Sequence, residues 1–192
     1  MTYQQQQERD EIDHFFAQYL GFSYQREQPV HVEFYRMCDV FGWQRQRNGE
    51  LPVAREEAWG LFRIAIVQAF NSTFGEDVNN LASWKRICGC LGISPVPENL
   101  HEARRAVLRT HVNLVDLLES MRAGAPAECF ATEEDLRRYT ISEGKFFPKE
   151  EAYEGGLLRF LLREILHDYE GSRSKNHPRK SNRGGGNHGV KR

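Results

Sequence analysis

Cys88-Gly-Cys90 is the first pattern in this chain whose residue types can do chemistry. Thiolates bind zinc, but a tetrahedral site needs about four ligands, and paired cysteines usually have two to four residues between them. Here one residue intervenes and no second pair follows; Cys129 and His111 are the distant residues that could complete a set. The alternative is a pair of small buried thiols, the usual state of a free cysteine inside an apolar helical pattern.

His111-Val-Asn113 with Asp116 is the second pattern. A His–Asn–Asp set can serve a nucleophile, but it needs that nucleophile and an oxyanion site, and the sequence points to neither. The same residues also have a structural account. Asn113 can cap a following helix, and Asp116 in its first turn suits the helix dipole. His111 can bond an open carbonyl at the end of the preceding helix. The remaining histidines, His14, His31, His101, His167, His177 and His188, make no HxxxH or HExxH pair. No phosphate-binding GxxxxGK[ST], no GxGxxG after a strand and no GxSxG occurs. No residue is therefore assigned a catalytic, cofactor-binding or metal-binding role. The chain reads as non-enzymatic and without a cofactor.

A third pattern could recognise phosphate. Residues 136–149, LRRYTISEGKFFPK, outline a short helix, an extended loop and a second helix that could present Arg137, Arg138, Lys145 and Lys149 together. Glu133, Glu134, Asp135, Glu143, Glu150, Glu151 and Glu154 surround these bases, and a negative neighbourhood opposes a phosphate footprint.

The elements that must position these residues are helices. Residues 8–20 set Ile12, Phe15, Phe16 and Tyr19 on one helical face. Pro29 opens a second helix carrying Phe34, Met37, Cys38 and Phe41. Residues 53–74 form the longest helix, with Ala58, Phe62, Ala65, Ile66, Ala69, Phe70 and Phe74 in an apolar stripe. Trp59, Leu61 and Ile64 widen that stripe, which predicts a central helix packed on several sides. Further helices are expected over 80–91 and 98–109, with 113–121 a continuation or a sixth. A short one opens at Thr132 and ends near Tyr139. Pro148 starts the last, which the Gly155–Gly156 pair bends or divides. No alternation is long enough to read as a strand. The fold class is all-α, a single domain of about seven or eight helices.

Composition bounds the rest. The chain has 192 residues, 40% of them hydrophobic, enough for one core. No apolar run approaches the roughly 18 residues of a membrane span. The N-terminus lacks the basic-then-apolar order of a secretory signal, and the cysteines suggest no disulfide framework. Nucleus or cytoplasm, not secretion, is the expected location.

The formal net charge of -1 hides a split. Arg173, Lys175, Arg179, Lys180, Arg183, Lys191 and Arg192 give the tail, residues 171–192, a charge of +7 with no acid. The remaining 19 basic and 27 acidic residues leave the body at -8. A tail of bases with Gly, Asn and Ser cannot bury apolar surface and is expected to be disordered. Residues 1–7, rich in glutamine, are expected to be disordered as well. The seven basic tail residues are the candidate nucleic-acid contacts, weak and salt-sensitive, since no aromatic residue stands among them to stack on bases. Solubility, an import address and a latch on the acidic body are the other readings of the tail.

The ordered part of the chain resembles a widespread group of small, uncharacterised, all-helical proteins of filamentous ascomycete fungi. The resemblance rests on FFAQYLGFSY (15–24), the VEFYRM and FGW segments within 32–43, FNSTFGEDVNNLASWKRICGCLGISPVPENL (70–100), HVNLVDLL (111–118), the LRRYT and FFP segments within 136–148, and GGLLRFLLREIL (155–166). It spans roughly residues 12–168. It implies a fungal, intracellular, helical protein and carries over no catalytic residue. The expected organisation is a helical domain over 8–170 between two disordered ends. The expected function is a non-enzymatic protein-interaction or regulatory domain whose partner is another protein. Nucleic-acid association through the tail and the 136–149 region is the alternative. An enzyme using His111, Asn113 or Cys88 is the third reading.

Overall fold

Helices form in this chain where apolar spacing follows a capping side chain or, at two of them, a proline. The computed structural model describes residues 9–47, 49–148 and 156–162. In order these give α1 (Glu11–Ala17), α2 (Val30–Val40), α3 (Val53–Phe74), α4 (Leu81–Cys90), α5 (Leu100–Leu108), β1 (His111–Val112), α6 (Leu114–Ala123), β2 (Cys129–Phe130), α7 (Glu133–Glu143) and α8 (residues 156–162). The domain is mostly α, as its periodicity predicts. The terminal segments 1–7 and 171–192 lie outside the described residues.

Side chains close the helix starts. Asp10 and Asp13 form a reciprocal capping box at α1, with bonds of 2.9 and 3.0 Å between each carboxylate and the other residue's N–H. Asn80, Asn99, Asn113 and Thr132 cap α4, α5, α6 and α7 through their side-chain oxygens. α2 and α3 follow Pro29 and Pro52, which bring no capping side chain. Glu119 of α6 serves α2 instead: its Oε1 accepts the N–H of Val30 at 2.8 Å.

α1 lies along α3, α4 packs on α5, and α3, α4 and α6 contact one another. An aromatic cluster joins the first three helices. Phe62 of α3 stacks on Phe34 of α2 at 4.8 Å and meets Phe15 of α1 at 5.3 Å. All three rings are fully buried, and each contributes about 1.5–3 kcal/mol of transfer free energy. Trp84 of α4 is also buried, with its indole N–H donating to the carbonyl of Val78 at 2.7 Å.

Four features decide, correct or add to the sequence reading. α6 is a separate helix, divided from α5 by β1, which pairs antiparallel with β2. Two-residue strands are too short for alternation to reveal. α7 runs on to Glu143, where Gly144 takes the left-handed conformation that ends it. Leu61 and Ile64 do not widen a buried stripe. They face solvent, and α6 is the more enclosed helix, burying every residue from Leu114 to Leu118. Finally, Gly156 begins the described part of α8 against the α3–α4 connection. Leu157 N–H donates to the carbonyl of Glu76 at 2.8 Å, and a Cβ on Gly156 would stand 2.9 Å from that same oxygen. The predicted helix start at Pro148 and the bend at Gly155 fall against or within residues 149–155, outside the described residues.

Candidate functional site

Asn113 is where the sequence-predicted site and the structure meet. Its Oδ1 caps α6, accepting from Val115 N–H at 2.9 Å. Its Nδ2 donates to Thr140 Oγ1 at 3.0 Å and to the carbonyl of Lys145 at 2.9 Å, tying the cap to the end of α7. That brings Lys145 over the first turn of α6. Its Nζ contacts Asp116 Oδ1 at 2.5 Å, Tyr139 Oη at 3.0 Å and Glu119 Oε2 at 3.5 Å.

Lys145 is buried. Burial alone would lower its pKa, but the bonds to Asp116 and Tyr139 and the charges of Glu119 and Asp116 outweigh it and hold the ammonium above the ordinary lysine value. Burial pushes the Glu119 carboxyl up, against the N–H of Val30 and the charge of Lys145. His31 of α2 borders the same group. Burial, then the neighbouring Lys145 charge, lowers its pKa, and its Nδ1 is buried without a hydrogen-bond partner.

This arrangement corrects the phosphate-binding reading of 136–149. Lys145 is not presented to solvent beside Arg137 and Arg138, because Asp116 holds it inside. Arg137 and Arg138 pair with Glu134 and Asp135 one turn earlier, at 3.6 and 3.1 Å. Lys149 lies outside the described residues, as do Arg173, Lys175, Arg179, Lys180, Arg183, Lys191 and Arg192. The sequence did not single out Lys145 as a core residue, since a lysine in a polar loop has no periodic signal.

Asp116 and Asn113 thus face α7 and Lys145. His111 does not join them. It lines a separate cavity of about 80 Å³ walled by apolar side chains of α5, α6, α7 and α8, with Glu133 also at its edge. The catalytic set His111–Asn113–Asp116 is not assembled.

The cysteines are free thiols. Cys88 Sγ approaches the carbonyl of Ala103 at 3.9 Å, whereas Cys90 sits beside the Ser120 hydroxyl on α6. Burial pushes both thiols up, which disfavours the thiolate. Among the described residues no group of three or more His, Cys, Asp and Glu is placed to hold a metal ion, and no helix is long and apolar enough to cross a membrane.

A second buried ionic group clamps the N-terminal helix. Arg122 of α6 donates to Asp13 Oδ1 and Tyr24 Oη, both at 2.8 Å, and pairs with Asp10 at 2.7 Å. Burial pushes the Tyr24 hydroxyl up to about 12, against the lowering effect of Arg122. Like the Lys145 group, this clamp holds elements together, and its Asp13 and Tyr24 also line a shallow surface pocket with Phe16, Phe22 and Arg26.

The outer surface of α2 and α3 is of another kind. Of eleven exposed large hydrophobic residues among those described, six lie on these two helices: Val32, Tyr35, Val40, Val53, Leu61 and Ile64. Tyr35 stacks on Trp59 at 6.4 Å, with the Arg55 guanidinium 5.7 Å from the Tyr35 ring. Gly60 lies beside Leu61 in the middle of α3, and nothing approaches within 4 Å of where its Cβ would be. Comparison with protein-family models, curated proteins and solved structures finds no match.

Proposed function

We propose that this is a non-enzymatic protein-interaction domain of the nucleus or cytoplasm, and that the outer surface of α2 and α3 is its contact face. The concentration of exposed apolar side chains on these two helices carries the reading. Single exposed hydrophobics are ordinary, whereas several gathered on two neighbouring helices favour an interaction surface. Tyr35 and Trp59 supply aromatic anchors of the kind that dominate binding energy. The ionic groups at Lys145 and Arg122 fit the same reading, as structural ties rather than reacting centres. The resemblance to the fungal helical group belongs to this proposal; among the residues quoted for it, Phe15, Phe16, Phe34 and Trp84 are core positions.

The test is a photo-crosslinking amino acid at position 61, compared with one at the exposed Ser142 of α7, in cells of the source. A partner crosslinked from 61 but not from 142, and lost when Ile64→Glu is added, with melting temperature unchanged, supports the reading. Equal recovery with and without Ile64→Glu sinks it.

A second reading rests on the charge split of +7 in the tail against -8 in the body. In it the tail tethers the protein to nucleic acid, with no contribution from Lys145. Binding to random-sequence DNA would then fall steeply with salt, with a logarithmic slope no steeper than about -6 for seven phosphate contacts. Salt-independent binding, or none, would exclude it.

A further inference from the structure

α8 reaches a partly open cavity of about 80 Å³. Leu161 forms part of its wall, with Val107 of α5, Leu114 of α6 and Leu136 of α7, while His111 and Glu133 belong to its polar lining. The cavity is roughly half the size of an engineered one of about 150 Å³ that admits benzene, which leaves room for one aliphatic side chain. Native interiors leave few voids larger than a water molecule, and a void costs its lining the dispersion contacts that a filled space would supply.

The direction of α8 names an occupant. Gly156 abuts the carbonyl of Glu76. The Phe160 ring lies 5.8 Å from that of Trp84, with the Arg104 guanidinium 5.6 Å away, and Leu161 and Val107 share the cavity wall. The helix therefore advances from the α3–α4 connection past Arg104 to the cavity. Its core-facing pattern continues in the sequence: Leu158, Leu161, Leu162, Ile165 and Leu166 follow the spacing i, i+3, i+4, i+7, i+8 of one helical face. Leu158 and Leu161 are buried and Leu162 is half-buried. One more turn carries Ile165 about 6 Å past Leu161 on that face. Charge agrees with this course. Glu133, Glu134 and Asp135 form the first turn of α7 at the cavity, and the chain beyond residue 170 is the +7 tail.

We propose that this cavity is the docking seat of the chain's own segment 163–170, with Ile165 against Leu114 and Leu136. The seat fixes where the basic tail leaves the body, at the acidic first turn of α7. It is separate from the α2–α3 contact face, so either proposal can fail alone.

The experiment is a methyl NOE spectrum of the full chain with its Ile, Leu and Val methyl groups labelled. The δ1 methyl of Ile165 should show contacts to the methyl groups of Leu114 and Leu136. High salt, which screens the tail's charge, should leave them in place. Ile165→Ala should lower the folding constant in urea by about tenfold or more. His167→Ala, on the opposite face of the same spacing, should leave it unchanged. The loss in Ile165→Ala/Leu136→Ala should be smaller than the product of the two single losses, because both remove one contact. Ile165→Val gives the same reading where the alanine variants do not fold. The proposal is overturned if Ile165 contacts neither leucine, if residues 1–8 or 149–155 make those contacts in its place, if salt removes them, or if the two single losses simply multiply.

Discussion

The Nζ of Lys145 lies 2.5 Å from Oδ1 of Asp116, joining the loop after α7 to the first turn of α6. Both side chains are about nine-tenths buried, so the pair exchanges a large desolvation cost for its attraction. Removing one partner strands the other. Lys145→Met should therefore cost about 3–5 kcal/mol in urea denaturation, while Lys145→Met/Asp116→Leu should cost much less than the sum of the two single changes. Additive single effects would mean that the pair is not coupled.

Two helical glycines should respond in opposite directions to alanine. Gly60→Ala adds a methyl group in open space and relieves the helix of a poor former, so it should stabilise by about 0.5–1 kcal/mol. Gly156→Ala drives a Cβ against the carbonyl of Glu76 and should destabilise by about 1–3 kcal/mol. Thermal melts of the two variants beside wild type check both signs.

His31 should make the fold acid-sensitive. Its pKa is lowered by burial and by Lys145, with Asp116 and Glu143 acting the other way. The unfolded chain then binds the proton more readily than the folded one. Stability from this residue is present above the ordinary value of 6.5 and declines as pH falls below it. Denaturation midpoints between about pH 7.5 and 5.5 should fall in wild type and fall less in His31→Gln. Equal slopes would remove His31 as the cause.

Arg122 should not be replaceable by lysine. The guanidinium reaches Asp10, Asp13 and Tyr24 at once, a fork that a single ammonium cannot reproduce. Arg122→Lys should lose most of the stability lost by Arg122→Met, about 2–4 kcal/mol. Full rescue by lysine would show that charge alone matters there.

How far the sequence disclosed this molecule depended on whether a residue takes part in a repeating pattern. α3 was legible to its ends because Pro52 and Gly75 bracket a continuous apolar spacing. The Asn113 cap was legible because cap chemistry is local. Lys145 was not, since its burial comes from Asp116, 29 residues earlier, and no spacing connects the two. Leu61 and Ile64 looked like core because apolar residues surround α3, and only the placement of the other helices shows which flank stays open. The cavity at His111 combines residues of α5, α6, α7 and α8, so no single segment announces it.

The first turn of α2 is completed by Glu119, 89 residues later, and α1 is held by Arg122, 109 residues beyond Asp13. During synthesis α1 and α2 therefore wait for residues that the ribosome has not yet released. Until α6 emerges, α1 and α2 have their aromatic contacts with Phe62 of α3 but not the ties that Glu119 and Arg122 supply. α6 is thus the segment whose arrival completes the first turn of α2 and the ionic hold on α1, and a pause in translation just before it would leave both ties open.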